Sequence, residues 1–526
     1  MRRLLLFGLV SVILVSCMTR SGHLTGTLGR PIYIPEIPLG MVYIPAGSYN
    51  MGENDQDVPF LHQTRAKTVS VQAFYMDQTE ISNNEYRQFV DWVRDSIARE
   101  KIYANEDEEK MSIEEAQKYI NYKELYFDEE SSAFVETEPG DRAKNRDLFD
   151  LNWDRELDYS DEKIIPLLAD MYYPQKERFY KRREIDTRNL IFSYYWIDYV
   201  EAAKRGRINI TPNGYETKDK KEIQDQSSKS IADHRTLETP ANPISGEPQG
   251  QDKDLGFFNK KGQNNAIRGH ENRQRFIIDE KINVYPDTLC WVRDFTYSFH
   301  DPMTQMYFWH PAYDSYPVVG VTWVQAKAFS VWRTQLLNNW LVSMGDLFVN
   351  DFRLPTEAEW ERASRGDLAL SPYPWGGPYI RNEAGCFLGN FKPMRGRYFE
   401  DGGFHTVKVY SYNPNGWGLY CMAGNVAEWC ETAYDESMNE FSHDLNTDYR
   451  YNAMDWDPPS MKRKVLRGGS WKDIGYYLQN STRTFEYQDT AKSYIGYRNV
   501  MTHLGRGGRD FTKEGNEESQ SDIQLR

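Results

Sequence analysis

Arg353-Leu-Pro-Thr-Glu-Ala-Glu-Trp360 carries a helix start that can be read directly from side-chain chemistry. Thr356 is followed three positions later by Glu359, the reciprocal pattern in which each side chain caps the other residue's backbone N–H. Gly366 is placed to close the short helix that follows. Four further elements come downstream: Pro374-Trp-Gly376, Gly424-Asn-Val-Ala-Glu-Trp429, Arg467-Gly-Gly-Ser-Trp471 and Gly496-Tyr-Arg498. Their glycines permit tight backbone turns, and their arginines can bond carbonyls or carboxylates inside a core. Trp360, Trp375, Trp429 and Trp471 read as core residues rather than as binding platforms.

The same signals recur towards the N-terminus. Ser82-Asn-Asn-Glu85 and Thr322-Trp-Val-Gln325 are two more capping boxes. Tyr86, Phe89, Val90 and Val93 follow the first at helical spacing and predict a core-facing helix. The second predicts a long helix from about Trp323 to Gly345. Gly40-Met-Val-Tyr-Ile-Pro-Ala-Gly-Ser-Tyr-Asn-Met-Gly52 alternates and ends in glycine, as a strand and turn would, and residues 69–74 form a second strand-like run.

In this order and at these spacings the motifs resemble the formylglycine-generating enzymes, or sulfatase-modifying factors. The resemblance implies a loop-rich α+β fold of the formylglycine-generating-enzyme-like (C-type-lectin-like) kind with a large insertion. Catalytic members keep a cysteine pair just downstream of the Arg-Gly-Gly-Ser element, where it binds copper and forms a transient disulfide with substrate. Here that stretch reads Lys472-Asp-Ile-Gly-Tyr-Tyr-Leu-Gln-Asn-Ser-Thr-Arg483, and no cysteine follows Cys430. A thiolate is the soft ligand and nucleophile this chemistry needs. The expectation is therefore a pseudoenzyme with no catalytic residues and no catalytic cofactor. The resemblance also implies two structural calcium sites built from oxygen donors. One would use Gly424, Val426 and Glu428, weakened because Cys421 stands where the family usually has Asn. The other would use Asn390, Phe391, Asp401 and Phe404.

The N-terminus predicts a location. Met1-Arg-Arg3 precedes an apolar run over residues 4–15, and Leu14-Val-Ser-Cys17 matches a bacterial lipobox. Cys17 is the expected lipidation site, and the absence of Asp after it points to the periplasmic face of the outer membrane. The chain has 526 residues and a net charge of -15, which argues against nucleic acid as a partner. Cys290, Cys386, Cys421 and Cys430 could pair in an oxidising compartment or remain free thiols. The nine histidines do not cluster, so zinc chemistry is not expected, and Ser470 has no recognisable base.

The expected organisation is a signal peptide (1–16), a lipidated tether (17–39), a core domain (40–95 and 316–504), an insertion (96–315) and a disordered tail (505–526). An insertion of about 220 residues is longer than a loop. Residues 209–271 are polar and expected to be flexible, whereas residues 100–199 can bury surface, with helical periodicity near 113–126. Residues 282–310 read as aromatic and β-like. The opening motif, Asn83-Asn-Glu-Tyr-Arg-Gln-Phe-Val and His310-Pro-Ala-Tyr-Asp-Ser-Tyr-Pro-Val-Val-Gly320 narrow the resemblance to the GldK/PorK branch of gliding-motility and type IX secretion lipoproteins, with the GldJ branch the nearest confusable relative. That resemblance implies self-association into a periplasmic ring with a GldN/PorN-like partner. Residues 172–199 and 285–309 are the expected contact regions. Competing expectations are a carbohydrate- or peptide-binding lipoprotein, or an oxidase on the same fold.

Overall fold

Two four-stranded sheets and three long or buried helices organise the core. The computed structural model describes residues 37–53, 66–104, 117–122, 125–128, 133–136, 149–197, 277–295, 297, 300–394, 399–400, 403–445, 447–454 and 456–504. Cys17, Asp401, all of residues 198–276 and the tail from 505 lie outside them.

In chain order the strands are β1 (Met41–Ile44), β2 (Gly47–Met51), β3 (Lys67–Val71), β4 (Phe74–Asp77), β5 (Ile120–Tyr122), β6 (Leu125–Asp128), β7 (Ala133–Glu136), β8 (Phe149–Leu151), β9 (Ile191–Ile197), β10 (Ile277–Asn283), β11 (Phe352–Arg353), β12 (Ala427–Ala433), β13 (Arg463–Arg467), β14 (Thr484–Tyr487), β15 (Ile495–Gly496) and β16 (Val500–Thr502). The first sheet runs β1-β4-β16-β11 and the second β14-β13-β12-β15. Within the second, β12 pairs antiparallel with β13 and parallel with β15. Every residue of β12 is buried, so the motif Gly424–Trp429 leads straight into the centre of the molecule.

The capping boxes stand where the sequence places them. Helix α1 (Asn83–Ala104) starts as the Ser82 N–H donates to Glu85 Oε2 at 2.7 Å and the Glu85 N–H donates to Ser82 Oγ at 3.3 Å. Its Tyr86, Phe89, Val90 and Val93 are buried. The helix continues to Ala104, so the domain boundary expected after residue 95 falls inside it. Helix α2 (Cys290–Asp294) belongs to the insertion. Helix α3 (Trp323–Met344) has a complete capping box and ends on left-handed Gly345. Helix α4 (Glu357–Arg365) has another at Thr356 and Glu359, and all its residues are buried.

The insertion contributes to the main core. Its β9 and β10 form an antiparallel ladder, and Leu190, Phe192, Tyr194 and Val284 pack with Phe89, Phe329 and Trp332. Residues Ile37–His503 accordingly form one compact unit. Two local expectations are corrected. The stretch 113–126 shows, in its described residues, a 3-10 turn at Gln117–Tyr119 followed by β5 and β6, not a helix. Strand pairing with β8 and β7 overrides the apolar spacing there. Conversely, of the stretch 282–310 only residues 282–283 lie in a strand, the end of β10, and the other described residues form helices and turns. Pro302 opens a short helix over Pro302–Met306, and Trp291, Tyr307 and Phe308 are buried through it and α2.

Candidate functional site

Two arginines from the glycine-rich motifs organise the interior. Arg467, at the end of β13, is fully buried between two carboxylates of α4, with Nη2 2.5 Å from Glu357 Oε1 and 2.9 Å from Glu361 Oε2. Its Nη1 donates to the carbonyl of Asn480 at 2.8 Å. Arg483 reaches Glu357 at 2.5 Å, and Arg365 reaches Glu361 at 2.7 Å. Burial alone would raise the Glu357 pKa, but Arg467 and Arg483 more than offset it and hold the carboxyl below its usual value. Arg498 is the second centre. It grips Glu428 through Nη2 at 2.6 Å and Nε at 2.8–2.9 Å, and donates to the carbonyls of Asp77 and Tyr420. Trp360 Nε1 donates to the remaining side of the same carboxylate at 2.7 Å.

Between these centres runs the segment 472–483. Ser470 donates to Asp473 at 2.5 Å, which closes a turn. Leu478, Asn480, Ser481, Thr482 and Arg483 are all buried. Ser364 Oγ donates to Asn480 Oδ1 at 2.6 Å, and Asn480 Nδ2 donates to the Ser371 carbonyl at 3.0 Å. The Lys472 ammonium sits 3.3 Å from the Tyr494 ring centre. The insertion covers the neighbouring Trp471: Trp291 stacks on it at 5.8 Å, Phe295 packs at 5.3 Å, and His405 meets its edge at 4.7 Å. Asp294 of α2 fastens this cover by accepting from Ser493 N–H at 2.9 Å and Ser493 Oγ at 2.6 Å. A hollow beside it, lined by Cys290, Trp291, Thr304 and Tyr307, has about 10 Å³ of free volume. That is room for roughly one water.

The remaining candidates lie in two loops. Asn390 donates through Nδ2 to the His405 carbonyl at 2.7 Å and accepts the Asn425 N–H at 2.8 Å. A Cβ on Gly403 would lie 2.7 Å from Asn390 Oδ1, so only glycine admits this approach. Phe391 is buried and Phe404 is 57% exposed. Gly424 and Asn425 adopt left-handed backbone at φ 82° and 65°, as does Cys421 at 51°. Asn425 Nδ2 donates to Glu80 Oε2 at 2.9 Å. Burial, then the charge of Glu428, push the Glu80 carboxyl well above the usual range.

The sulfatase-modifying factor enzyme 1-like domain family matches residues 36–136 and 270–503. The chain belongs to this family. Individual relatives match a shorter stretch. The formylglycine-generating enzyme of Streptomyces coelicolor is 33% identical over 195 residues, 35% of this chain and 52% of that protein. The inactive C-alpha-formylglycine-generating enzyme 2 of Bos taurus is 34% identical over 190 residues, 35% and 49% of the two chains. The serine/threonine-protein kinase pkn1 of Chlamydia pneumoniae is 32% identical over 188 residues, 36% of this chain and 24% of that one. The chain thus spans a quarter to about half the length of these curated relatives. Among solved structures, PvdO from Pseudomonas aeruginosa aligns over 88% of this chain and 94% of its own, at 13% identity and a TM-score of 0.38.

The two loops fit the family's calcium unequally. At Gly424, Val426 and Glu428, the carboxylate expected to serve a cation is already surrounded by Arg498 and Trp360. The Cys421 thiol donates to the Val409 carbonyl at 3.4 Å instead of offering an oxygen. This loop does not fit a calcium ion. At the second loop, Asn390, Phe391 and Phe404 are among the described residues and Asp401 is not; the donor types fit. Cys290, Cys421 and Cys430 are buried free thiols, and Cys386 is an exposed one. Burial pushes the first three well above the usual thiol range, so none is a thiolate at neutral pH. Sequence reasoning anticipated that Arg467 and Arg498 would bond core carboxylates or carbonyls. It missed Glu80 and the Trp291 cover, because Glu80 meets Asn425 and Trp291 meets Trp471 across more than a hundred positions of chain.

Proposed function

We propose that this chain is a non-catalytic structural lipoprotein. It is anchored through Cys17 on the periplasmic face of the outer membrane and assembles into a ring with a GldN/PorN-like partner, in support of protein export by a type IX secretion or gliding apparatus. One observation carries the non-catalytic part. The segment 472–483, which holds the cysteine pair in catalytic members, has no cysteine, and its Leu478, Asn480, Ser481, Thr482 and Arg483 are buried in the interior. A relative whose own name calls it inactive supports the same reading. No helix among the described residues is long and apolar enough to cross a membrane.

On this reading, contacts would form through exposed aromatics. Among the described residues of 172–199 and 285–309, Phe192, Tyr194, Trp291, Tyr307 and Phe308 are buried and unavailable to a partner. Tyr180, Tyr195, Tyr297 and Trp309 remain exposed, at 85%, 68%, 98% and 52%, and are the interface candidates. The test is gentle detergent extraction of the native protein followed by mass analysis and imaging. A stoichiometric complex with a periplasmic partner is expected, and it should disperse when the four exposed aromatics are replaced by serine. A monomer without partners would overturn the scaffold and move a carbohydrate- or peptide-binding role to first place. Formylglycine formed on a Cys-containing sulfatase peptide with copper and oxygen, above a metal-only control, would instead restore the oxidase reading.

A further inference from the structure

The second half of α3 is exposed on one side, while Leu337 on the other packs against Met41, Tyr75 and Phe352. Up to Thr334 the helix is seated in the core through Trp323, Phe329 and Trp332. Beyond it, Leu336, Trp340 and Met344 are 48%, 56% and 65% exposed. They are spaced four apart and so share one face. Leu347 and Phe348, just past the Gly345 cap, extend the stripe at 69% and 67% exposure. No Asp, Glu, Lys or Arg occurs between Arg333 and Asp346. A stripe that exposes Trp340, Phe348, Leu336, Met344 and Leu347 with Asp346 the one charge among them is unlike a solvated helix surface.

The position of the N-terminal chain suggests what covers it. Leu39 is 95% exposed, and its carbonyl accepts from Arg333 Nη2 at 3.4 Å, one turn before the stripe begins. The N-terminal segment therefore joins the body beside this helix, roughly 16 Å along its axis from Met344 at 1.5 Å per residue. Residues 18–38 separate Cys17 from Leu39. Fully extended, that tether would reach about 70–80 Å, which is long enough to span the length of the stripe.

We infer that the exposed face of α3, with Leu39 beside it, docks on the lipid surface and sets the body's orientation on the membrane that holds the anchor. This rests on the Cys17 anchor proposed above. Trp340 and Phe348 are suited to the boundary between headgroups and acyl chains, where aromatic rings accumulate. The net charge of -15, with Asp346 inside the stripe and Asp351 just beyond it, favours zwitterionic over anionic lipid.

The test uses the full chain after residue 17, made without the lipid, on vesicles of phosphatidylethanolamine and phosphatidylcholine. Partition at millimolar lipid is expected, with a blue shift in tryptophan emission that is lost in Trp340→Phe. Replacing Trp340 and Phe348 together by serine should weaken partition roughly tenfold or more, with the melting temperature unchanged because both are exposed. No partition by the unsubstituted body would overturn the inference. So would a loss of self-association in the double variant measured without lipid, since the stripe would then be a contact between copies. The anchor is tested apart, by the mass of the N-terminal peptide from cells. Absence of acyl groups on Cys17 would remove the anchor reading while leaving vesicle binding by the body to be judged on its own.

Discussion

At the scale of single residues, the interior depends on charges that are matched across distant elements. Arg498 and Glu428 are both buried and both lie in motifs legible in the sequence, but their pairing required β12 and the approach to β16 to meet. Glu428→Ala would leave the Arg498 guanidinium buried without its counter-charge, and should lower unfolding free energy by about 3–5 kcal/mol in denaturant titrations. Glu428→Leu combined with Arg498→Met should recover most of that loss. If the single variant were neutral, the Arg498 cage of carbonyls would be sufficient alone. Lys464 poses a different problem. It is fully buried, donates to the Tyr451 carbonyl at 2.8 Å and lies 3.7 Å from the Trp323 ring centre. Burial outweighs the attraction of Glu431 and lowers its pKa to about 7. The unfolded lysine keeps its proton to a much higher pH, so between pH 7 and about 10 the unfolded state binds more protons and stability from this group rises with pH. Lys464→Met should therefore stabilise most at or below pH 7, with the advantage shrinking towards pH 9. A difference in melting temperature that is constant across pH 6–9 would refute this.

At the scale of elements, capping boxes are local and were readable, whereas the partner of an apolar face was not. Thr322 accepts from the Gln325 N–H as its pattern predicts, and Thr322→Ala should cost about 1 kcal/mol. The β9–β10 ladder is the opposite case. Its alternating burial is visible in outline, but only the structure places Phe192 edge-on to Phe89 at 5.3 Å, within the core of the motif-bearing domain. Phe192→Ala should lose about 3–5 kcal/mol and unfold the whole unit in a single transition. Independent melting of the insertion would show that the core continues without it. The stretch expected as a helix near 113–126 failed for a related reason: over so short a run, apolar spacing does not distinguish a helix from strands whose partners lie elsewhere.

For the whole molecule, calcium and the insertion are the open levers. If a cation is bound, the second loop should hold it. Chelation should then lower the melting temperature by mass action, and Asp401→Ala should abolish that shift. Glu428→Ala should destabilise with or without chelator, because its carboxylate serves Arg498. Absence of calcium by elemental analysis, with no chelator effect, would retire the site. Removal of residues 209–271 should leave folding and assembly intact, whereas serine at Tyr180, Tyr195, Tyr297 and Trp309 should impair assembly without changing the melting temperature of the monomer. Analytical ultracentrifugation of both variants checks this.

The sequence by itself determined the helix starts, the turns at glycine, the core tryptophans and the family, because these rest on short spacings and on residue types with few conformational options. It also determined that no cysteine follows the Arg-Gly-Gly-Ser element. Only the tertiary structure decided that Arg467 is held by Glu357 and Glu361, that Glu428 serves Arg498 rather than a free cation site, and that the insertion supplies Trp291 and Phe295 over Trp471. Those outcomes depend on which elements come together in space. Buried charges and aromatic faces take their partners from across the chain, and local spacing carries no record of that choice.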